Sequence, residues 1–325
     1  MELNQTNWTV EQLAELLALP DFSRMYAYAD KINCQVHGDI IEIRAILEFS
    51  NICKRRCAYC GLNSQNSKVR RYRMSEKEIM ETAIIAAEAG YRTLVMQSGE
   101  DDYFNRRRLG ELVRQIKKQT GMAITVSCGE KSYEDYAWIR QAGADRYLLK
   151  HETADPDIYA GLHAGDALSN RLRCLKDIKE LGFETGSGFM IGLPGQSLKT
   201  IAQDILLLKE IGCDMAGIGP FIPSPDTELK DWPAGSAELT KRAVALTRIL
   251  LPDANLPATT ALGVLVKTDK YSIFQCGANV IMRKVTPQKY EECYSIYPNQ
   301  IEVRDIFKER KQLEQMIRGM GKIPR

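Results

Sequence analysis

Ser75-Glu-Lys-Glu78-Ile-Met-Glu-Thr-Ala-Ile-Ile-Ala-Ala-Glu-Ala-Gly90-Tyr91-Arg-Thr-Leu-Val-Met-Gln97 contains one complete structural unit. The Ser75 hydroxyl can cap a helix while Glu78 reaches back to the backbone, the reciprocal pattern of a capping box. Ile79, Ala83, Ala86 and Ala87 then share one helical face. Gly90 suits a left-handed exit from that helix, and the apolar run after it is short enough to be a strand. The same sequence of helix, glycine and strand returns at Gly121, Gly143, Gly182 and Gly212. Strands are predicted near 42–49, 91–98, 123–128, 146–151, 184–191, 214–221, 256–261 and 277–282. Strands that alternate with helices and are apolar throughout belong in a parallel sheet covered by those helices. Their number favours an α/β fold closed as a (β/α)8 TIM barrel over an open doubly wound sheet.

Such a barrel takes about 250 residues, which assigns it 36–290 and leaves an N-terminal helical extension, 1–35, and a C-terminal helical extension, 291–325, packed on it. Val10, Leu13, Leu16 and Leu17 fit one face of a helix in the first extension, and the charged run 304–320 reads as a half-exposed helix in the second. Pro220-Phe-Ile-Pro223-Ser-Pro225 follows a strand and reads as a rigid loop at the barrel mouth.

The chain has 325 residues, 44% hydrophobic and 26% charged, with 44 basic against 42 acidic side chains. A net charge of +2 gives no global pull toward nucleic acid or an anionic membrane. No signal-peptide pattern opens the chain and no run is long and apolar enough to span a bilayer, so a cytoplasmic location is expected. Nine scattered cysteines make an odd count that a disulfide framework explains poorly. Taken one at a time, Cys34, Cys128, Cys174, Cys213, Cys276 and Cys293 read as small buried hydrophobes.

Cys53-Lys-Arg-Arg-Cys57-Ala-Tyr-Cys60 differs, since it sets three thiols on the loop after the first predicted strand, at the C-terminal mouth where barrel enzymes carry their chemistry. A structural zinc site would need a fourth ligand at recognisable spacing, whereas His37, His151 and His163 stand alone. Chance grouping of core cysteines conflicts with Lys54, Arg55 and Arg56 between them. A 4Fe-4S cluster normally takes four thiolates, so three would leave one iron open to another ligand.

This loop, with an aromatic residue before its last cysteine, resembles that of the radical S-adenosylmethionine (SAM) superfamily. The resemblance implies one 4Fe-4S cluster on Cys53, Cys57 and Cys60, with SAM chelating the open iron and cleaved by one electron to a 5'-deoxyadenosyl radical. Gln97-Ser-Gly-Glu100 resembles the motif at the SAM amino group, and Gly188-Phe-Met190-Ile-Gly192 resembles the adenine-side motif, without its usual terminal acid. Arg71-Tyr-Arg-Met74, Gln97-Ser-Gly-Glu-Asp101, Asp145-Arg-Tyr-Leu-Leu-Lys-His-Glu-Thr153, Gly192-Leu-Pro-Gly-Gln196, Gly219-Pro-Phe-Ile-Pro223, Pro257-Ala-Thr-Thr260 and Gly277-Ala-Asn-Val-Ile-Met282 together resemble the FeFe-hydrogenase maturase family HydE over nearly the whole chain. Biotin synthase and methylornithine synthase share the barrel and cluster loop.

The HydE resemblance implies a radical SAM enzyme that acts on a cysteine-bound iron carbonyl cyanide during assembly of the hydrogenase diiron subcluster. It implies SAM contacts from Tyr59, Gln97, Ser98, Gly99, Glu152, Arg171 and Met190. It implies substrate contacts from Arg44, Thr125, Arg146, Lys150, Met215, Thr259, Thr260, Met282 and Tyr297. Implied partners are HydG-like and HydF-like maturases, met transiently, and an electron donor such as ferredoxin or flavodoxin, with no nucleic acid and no membrane. Lys150 departs from the Arg of that family, keeping the charge but losing the planar fork. No C-terminal cysteine motif is present, so no accessory cluster is expected, and Arg283-Lys284 replaces a Pro-containing stretch, with an altered mouth or docking surface expected. An enzyme alternative is a related radical SAM protein acting on an amino acid or a small sulfur compound. A cluster-bearing electron carrier is the alternative of another class, though a carrier would more naturally use four cysteines.

Overall fold

The computed structural model describes residues 7–266, 271–294 and 305–325. Eight parallel strands form the wall: β1 (Ile40–Ser50), β2 (Thr93–Ser98), β3 (Ala123–Ser127), β4 (Arg146–Leu148), β5 (Glu184–Ser187), β6 (Met215–Ala216), β7 (Pro257–Ala258) and β8 (Val280–Lys284). They pair in chain order from β1 to β6, and β1 pairs on its other side with β8, which pairs with β7. The path ends, β6 and β7, meet through a bridge between Met215 and Asn255, where the Ala216 N–H reaches the Asn255 carbonyl at 3.0 Å. The result is a nearly closed (β/α)8 barrel of the TIM type.

The helices labelled here are α1 (Val10–Leu17), α2 (Ser23–His37), α3 (Glu76–Glu88), α4 (Arg106–Thr120), α5 (Tyr133–Gln141), α6 (Leu168–Glu180), α7 (Leu198–Ile211), α8 (Ala237–Leu250) and α9 (Ile306–Gly319). At the start of α3 the Glu78 N–H donates to Ser75 Oγ and the Ser75 N–H donates to Glu78 Oε2 at 2.8 Å, the predicted capping box. The glycines after α4 and α7, Gly121 and Gly212, sit at φ 66° and 65°, the left-handed exit that a side chain would disfavour. Leu13, Leu16 and Leu17 of α1 are buried, α1 lies against α7, and α2 lies against α8. In α9 only Arg310, Leu313 and Ile317 are buried. After it, Ile323–Pro324 (β9) adds a parallel pairing to the start of β1 at Ile40 and Ile41.

Alternation along β1 sets the interior. Ile43, Ala45, Leu47 and Phe49 are buried in the main core, with Phe49 edge-on to Phe104 at 4.7 Å, while Arg44, Ile46 and Glu48 line a central cavity.

Four predicted strands are cut short or broken. The strand near 146–151 stops at Leu148, because the Lys150 carbonyl accepts a hydrogen bond from Arg171 and Glu152 turns to φ 66°. The runs 184–191 and 214–221 each break in two, and the outer pieces, Met190–Ile191 and Gly219–Pro220, pair with each other. The break falls where Gly188 crosses Gly217, so closely that a Cβ on Gly188 would stand 2.1 Å from the Gly217 oxygen. The run 256–261 ends at Ala258, since Thr260 opens a short helix, Thr260–Leu265. No helix among the described residues is long and apolar enough to cross a membrane.

One buried cation ties α8 to the sheet. Arg248, with 0% of its surface exposed, donates to the carbonyls of Gly277 at 2.8 Å and Pro252 at 2.7 Å and to Asn279 Oδ1 at 3.0 Å. Asn279 Oδ1 also accepts the Leu256 N–H, so a single guanidinium joins a helix to the segments entering β7 and β8. Burial pushes its pKa down to about 10. Arg248→Met is expected to lower stability by roughly 3 kcal/mol, read as a lower urea midpoint with an unchanged m-value.

Candidate functional site

The loop after β1 is shaped mainly by Arg71. Its guanidinium donates to the carbonyls of Asn51 and Leu62 at 2.7 and 2.8 Å and to those of Asn63 and Asn66 at 2.6 and 3.2 Å, gathering the chain on both sides of the cysteines. Within the loop the Cys60 N–H reaches the Cys57 carbonyl at 3.2 Å, and Cys53 Sγ accepts the Glu100 N–H at 3.4 Å. That contact requires β2 to exit very close to Cys53. Gly99 permits it, since a Cβ there would lie 2.3 Å from the Ile52 oxygen and 2.7 Å from Cys53 Cβ. Burial pushes all three thiols up, Cys60 to about 12, so ligation must displace a proton from each. Among the described residues no three His, Cys, Asp or Glu side chains gather tightly enough for a single metal ion.

Arg55, between the first two cysteines, is the centre of an ionic web. It contacts Glu100 Oε2 at 2.6 Å, Glu130 Oε2 at 2.9 Å, and Asp166. Glu130 passes the link to Arg171, whose Nε lies 2.6 Å from Glu130 Oε1 and whose NH1 donates to the Lys150 carbonyl at 2.6 Å. Two cations beside it hold the Glu130 carboxyl below its ordinary range in spite of burial, Arg171 contributing more than Arg55. Lys54 and Arg56, by contrast, are exposed.

A cavity of about 380 Å³ opens inside the barrel below this loop. Cys53, Cys57, Cys60, Tyr59, Gln97, Ser98 and Gly99 line it from the β1 and β2 loops, together with Glu152, Arg171 and Met190. Arg44, Thr125, Lys150, Met215, Thr259, Thr260 and Met282 line it too. Arg146 does not. Arg146 opens β4, and its side chain pairs with Glu184 and reaches Thr93 Oγ1 at 3.4 Å instead. Tyr297 lies outside the described residues.

Four buried polar atoms among these lining residues have no hydrogen-bond partner: Arg44 Nε, Thr125 Oγ1, Thr259 Oγ1 and Glu152 Oε2. Each would cost about 1–3 kcal/mol if left dry, so the arrangement is one that a polar ligand completes. Arg44 is 5% exposed, its NH1 meets Met215 Sδ at 3.2 Å, and burial together with Arg146 pushes its pKa down to about 10. Lys150 Nζ stands 3.5 Å from Glu152 Oε2, so its charge is shared with that acid.

Glu152 is held at φ 66°, a conformation that costs a side-chain-bearing residue about 1–3 kcal/mol. These residues fit a cluster and SAM: three thiols with a guanidinium, Arg171, for a carboxylate and a carboxylate oxygen without a hydrogen-bond partner, Glu152 Oε2, for an ammonium.

Sequence reasoning did not single out Glu48, Lys284, Arg55 or Glu130 as site residues. Lys284, the last residue of β8, has its Nζ 3.0 Å from Glu48 Oε1, and both line the cavity. The signal for Glu48 was a lone acid in an apolar strand. Nothing local marks Glu130, whose role arises from loops far apart in the chain.

Residues 47–208 match the profile of the Radical SAM superfamily. The chain is 48% identical over 303 residues to the [FeFe] hydrogenase maturase subunit HydE of Thermotoga maritima, covering 92% of this chain and 87% of that protein. It is 27% identical to a 3-methylornithine synthase of Methanosarcina acetivorans, over 97% of this chain and 89% of that one. The crystal structure of methylornithine synthase (PylB) superposes with a TM-score of 0.88 at 25% identity, covering 99% of this chain and 96% of that one.

Arg55→Met removes the hub of the ionic web while leaving all three thiols. Loss of iron to a chelator is expected to run about tenfold faster than in wild type, followed as bleaching of the cluster's visible absorbance under anaerobic conditions.

Proposed function

The chain belongs to the HydE maturase family of radical SAM enzymes, and from that premise we propose that it acts on a cysteine-bound iron carbonyl cyanide precursor during assembly of the FeFe-hydrogenase diiron subcluster. The observation that carries this reading is that one cavity joins the three thiols, a carboxylate and a guanidinium to an interior with unpartnered Arg44, Thr125 and Thr259 atoms.

In this reading Cys53, Cys57 and Cys60 hold one 4Fe-4S cluster. When bound, the cluster supplies the electron that cleaves the sulfonium bond of SAM. Arg171 binds the SAM carboxylate and Glu152 Oε2 its ammonium, with Tyr59, Gln97, Ser98, Gly99 and Met190 enclosing the rest. Arg44 and Lys150 attract a small anionic substrate, and Thr125 and Thr259 supply hydroxyls with no other partner. Thr260, Met215 and Met282 complete the wall, the two thioethers being soft, polarizable surface for a metal complex. The surrounding barrel keeps water and stray hydrogen donors away. A HydG-like maturase would deliver the substrate, a HydF-like scaffold would accept the product, and ferredoxin or flavodoxin would supply the electron.

A second reading, a radical SAM enzyme for an amino acid or small sulfur metabolite, is favoured by one feature. The Glu48–Lys284 pair sets both a carboxylate and an ammonium on the cavity wall, a match for the two charges of an amino acid.

Anaerobically reconstituted protein is expected to hold about four irons per chain, with none retained as a cluster in Cys57→Ala. With reductant and SAM it should release 5'-deoxyadenosine or an adduct of it with substrate, and Arg171→Ala should lose SAM affinity while keeping its fold. Hydrogenase maturation in vitro separates the two substrate readings. Lys150→Met should fall about 10–100-fold and Lys150→Arg should stay active if the substrate is the iron complex. Full activity in Lys150→Met would remove Lys150 from the site, and no maturation by wild type would favour the second reading.

A further inference from the structure

Glu152 is the single non-glycine residue with positive φ among the described residues. Glycine or asparagine would take that conformation with less strain, so a glutamate is kept there for its side chain. Its backbone is held by the segment that follows β5. Its N–H donates to the Gly188 carbonyl at 3.0 Å and its own carbonyl accepts the Met190 N–H at 3.1 Å. The flanking residues are pinned by a buried polar group that the function above leaves unused. His151 and Asp204 both have side chains with 0% exposure, and neither lines the cavity.

We propose that His151, Asp204 and Ser187 form a positioning device that holds Glu152 in its left-handed conformation with the carboxylate turned into the cavity, and that they govern SAM affinity through it. The proposal rests on the reading of Glu152 as a SAM contact.

The contacts assign each partner. Ser187 Oγ, on β5, accepts the His151 backbone N–H at 3.2 Å and stands 2.9 Å from His151 Nδ1. On the other side of the ring, Nε2 faces Asp204 Oδ1 at 3.4 Å. Asp204, on α7, accepts the Ala154 N–H with the same oxygen. The residue before Glu152 is therefore fixed to β5 and the residue two after it to α7, which leaves the intervening peptides no freedom to turn over. Burial pushes the Asp204 carboxyl up from its ordinary range, and His151 opposes that shift. On the cavity side, Glu152 Oε2 has no hydrogen-bond partner, and Lys150 Nζ stands 3.5 Å from it.

A buried pair that served only stability would not set the affinity of a ligand it never touches. The test measures SAM binding to cluster-loaded, unreduced protein by equilibrium dialysis, with iron content and the urea midpoint recorded for each variant. His151→Leu, Asp204→Asn and Ser187→Ala are expected to weaken SAM binding, the first by about tenfold, at wild-type iron content. Thr240→Val, which removes a buried hydroxyl bonded to the Ser236 carbonyl in α8, should lower the midpoint and leave SAM affinity alone. In turnover the KM for SAM should rise while kcat is kept. The decisive arm is a double-mutant cycle. In a Glu152→Ala background, His151→Leu should cost no further affinity if it acts through Glu152. Equal SAM affinity in wild type and in folded Ser187→Ala and Asp204→Asn would overturn the proposal, as would full additivity in the cycle. If His151→Leu does not fold, Asp204→Asn replaces it in the cycle. Failure of iron-loaded wild type to bind SAM would instead overturn the underlying reading of Glu152.

Discussion

The guanidinium of Arg55 is the point on which the mouth of the barrel depends. Its carboxylate partners come from the loop after β2, the loop after β3 and the turn before α6, while Arg55 itself belongs to the cysteine loop after β1. Through Glu130 the same web fixes Arg171, the first long cation of α6. Four loops that no local interaction brings together are thus held in one arrangement by two cations and three acids. Buried ion pairs add little net stability, because desolvation offsets most of the attraction. Their benefit here is geometric, since the partners of one planar fork cannot shift independently.

The interior follows a different rule. Around the cysteines nearly every polar group is paired, whereas lower in the cavity Arg44 Nε, Thr125 Oγ1 and Thr259 Oγ1 are not. A guanidinium whose NH1 meets only a thioether sulfur is an unusual thing to bury, and the lowered pKa of Arg44 records the cost. Such groups are kept in place by the rigid strands that carry them, so a ligand meets donors that need no reorganisation.

How much of this was legible in the sequence depended on the range of the interaction. The cap at Ser75 and Glu78 and the exits at Gly121 and Gly212 use residues within a few positions of one another, and all appear as read. The cysteine loop was legible for the same reason. The resemblance puts Arg146 at the substrate, but its side chain pairs with Glu184 on the next strand and does not line the cavity. Broken strands at Gly188 and Gly217 were hidden because the cause is a contact between two segments distant in sequence, not a property of either. Glu48 and Lys284 meet across neighbouring strands, a pairing that no local feature of either segment carries.

The barrel wall is not uniform. Between β1, β2, β3 and β8 the ladders run several residues, whereas β6 has two residues and reaches the β7 side through one bridge at Asn255. The cysteine loop and its ionic web stand on the well-bonded half, and Met215 and Thr259 stand beside the seam. Few hydrogen bonds must yield for that seam to part, so it is the low-energy side of the wall for local opening. The division gives the molecule an anvil and a spring: the cysteine loop rests on the half with the long ladders, and the half that can yield is the one with the fewest hydrogen bonds to break.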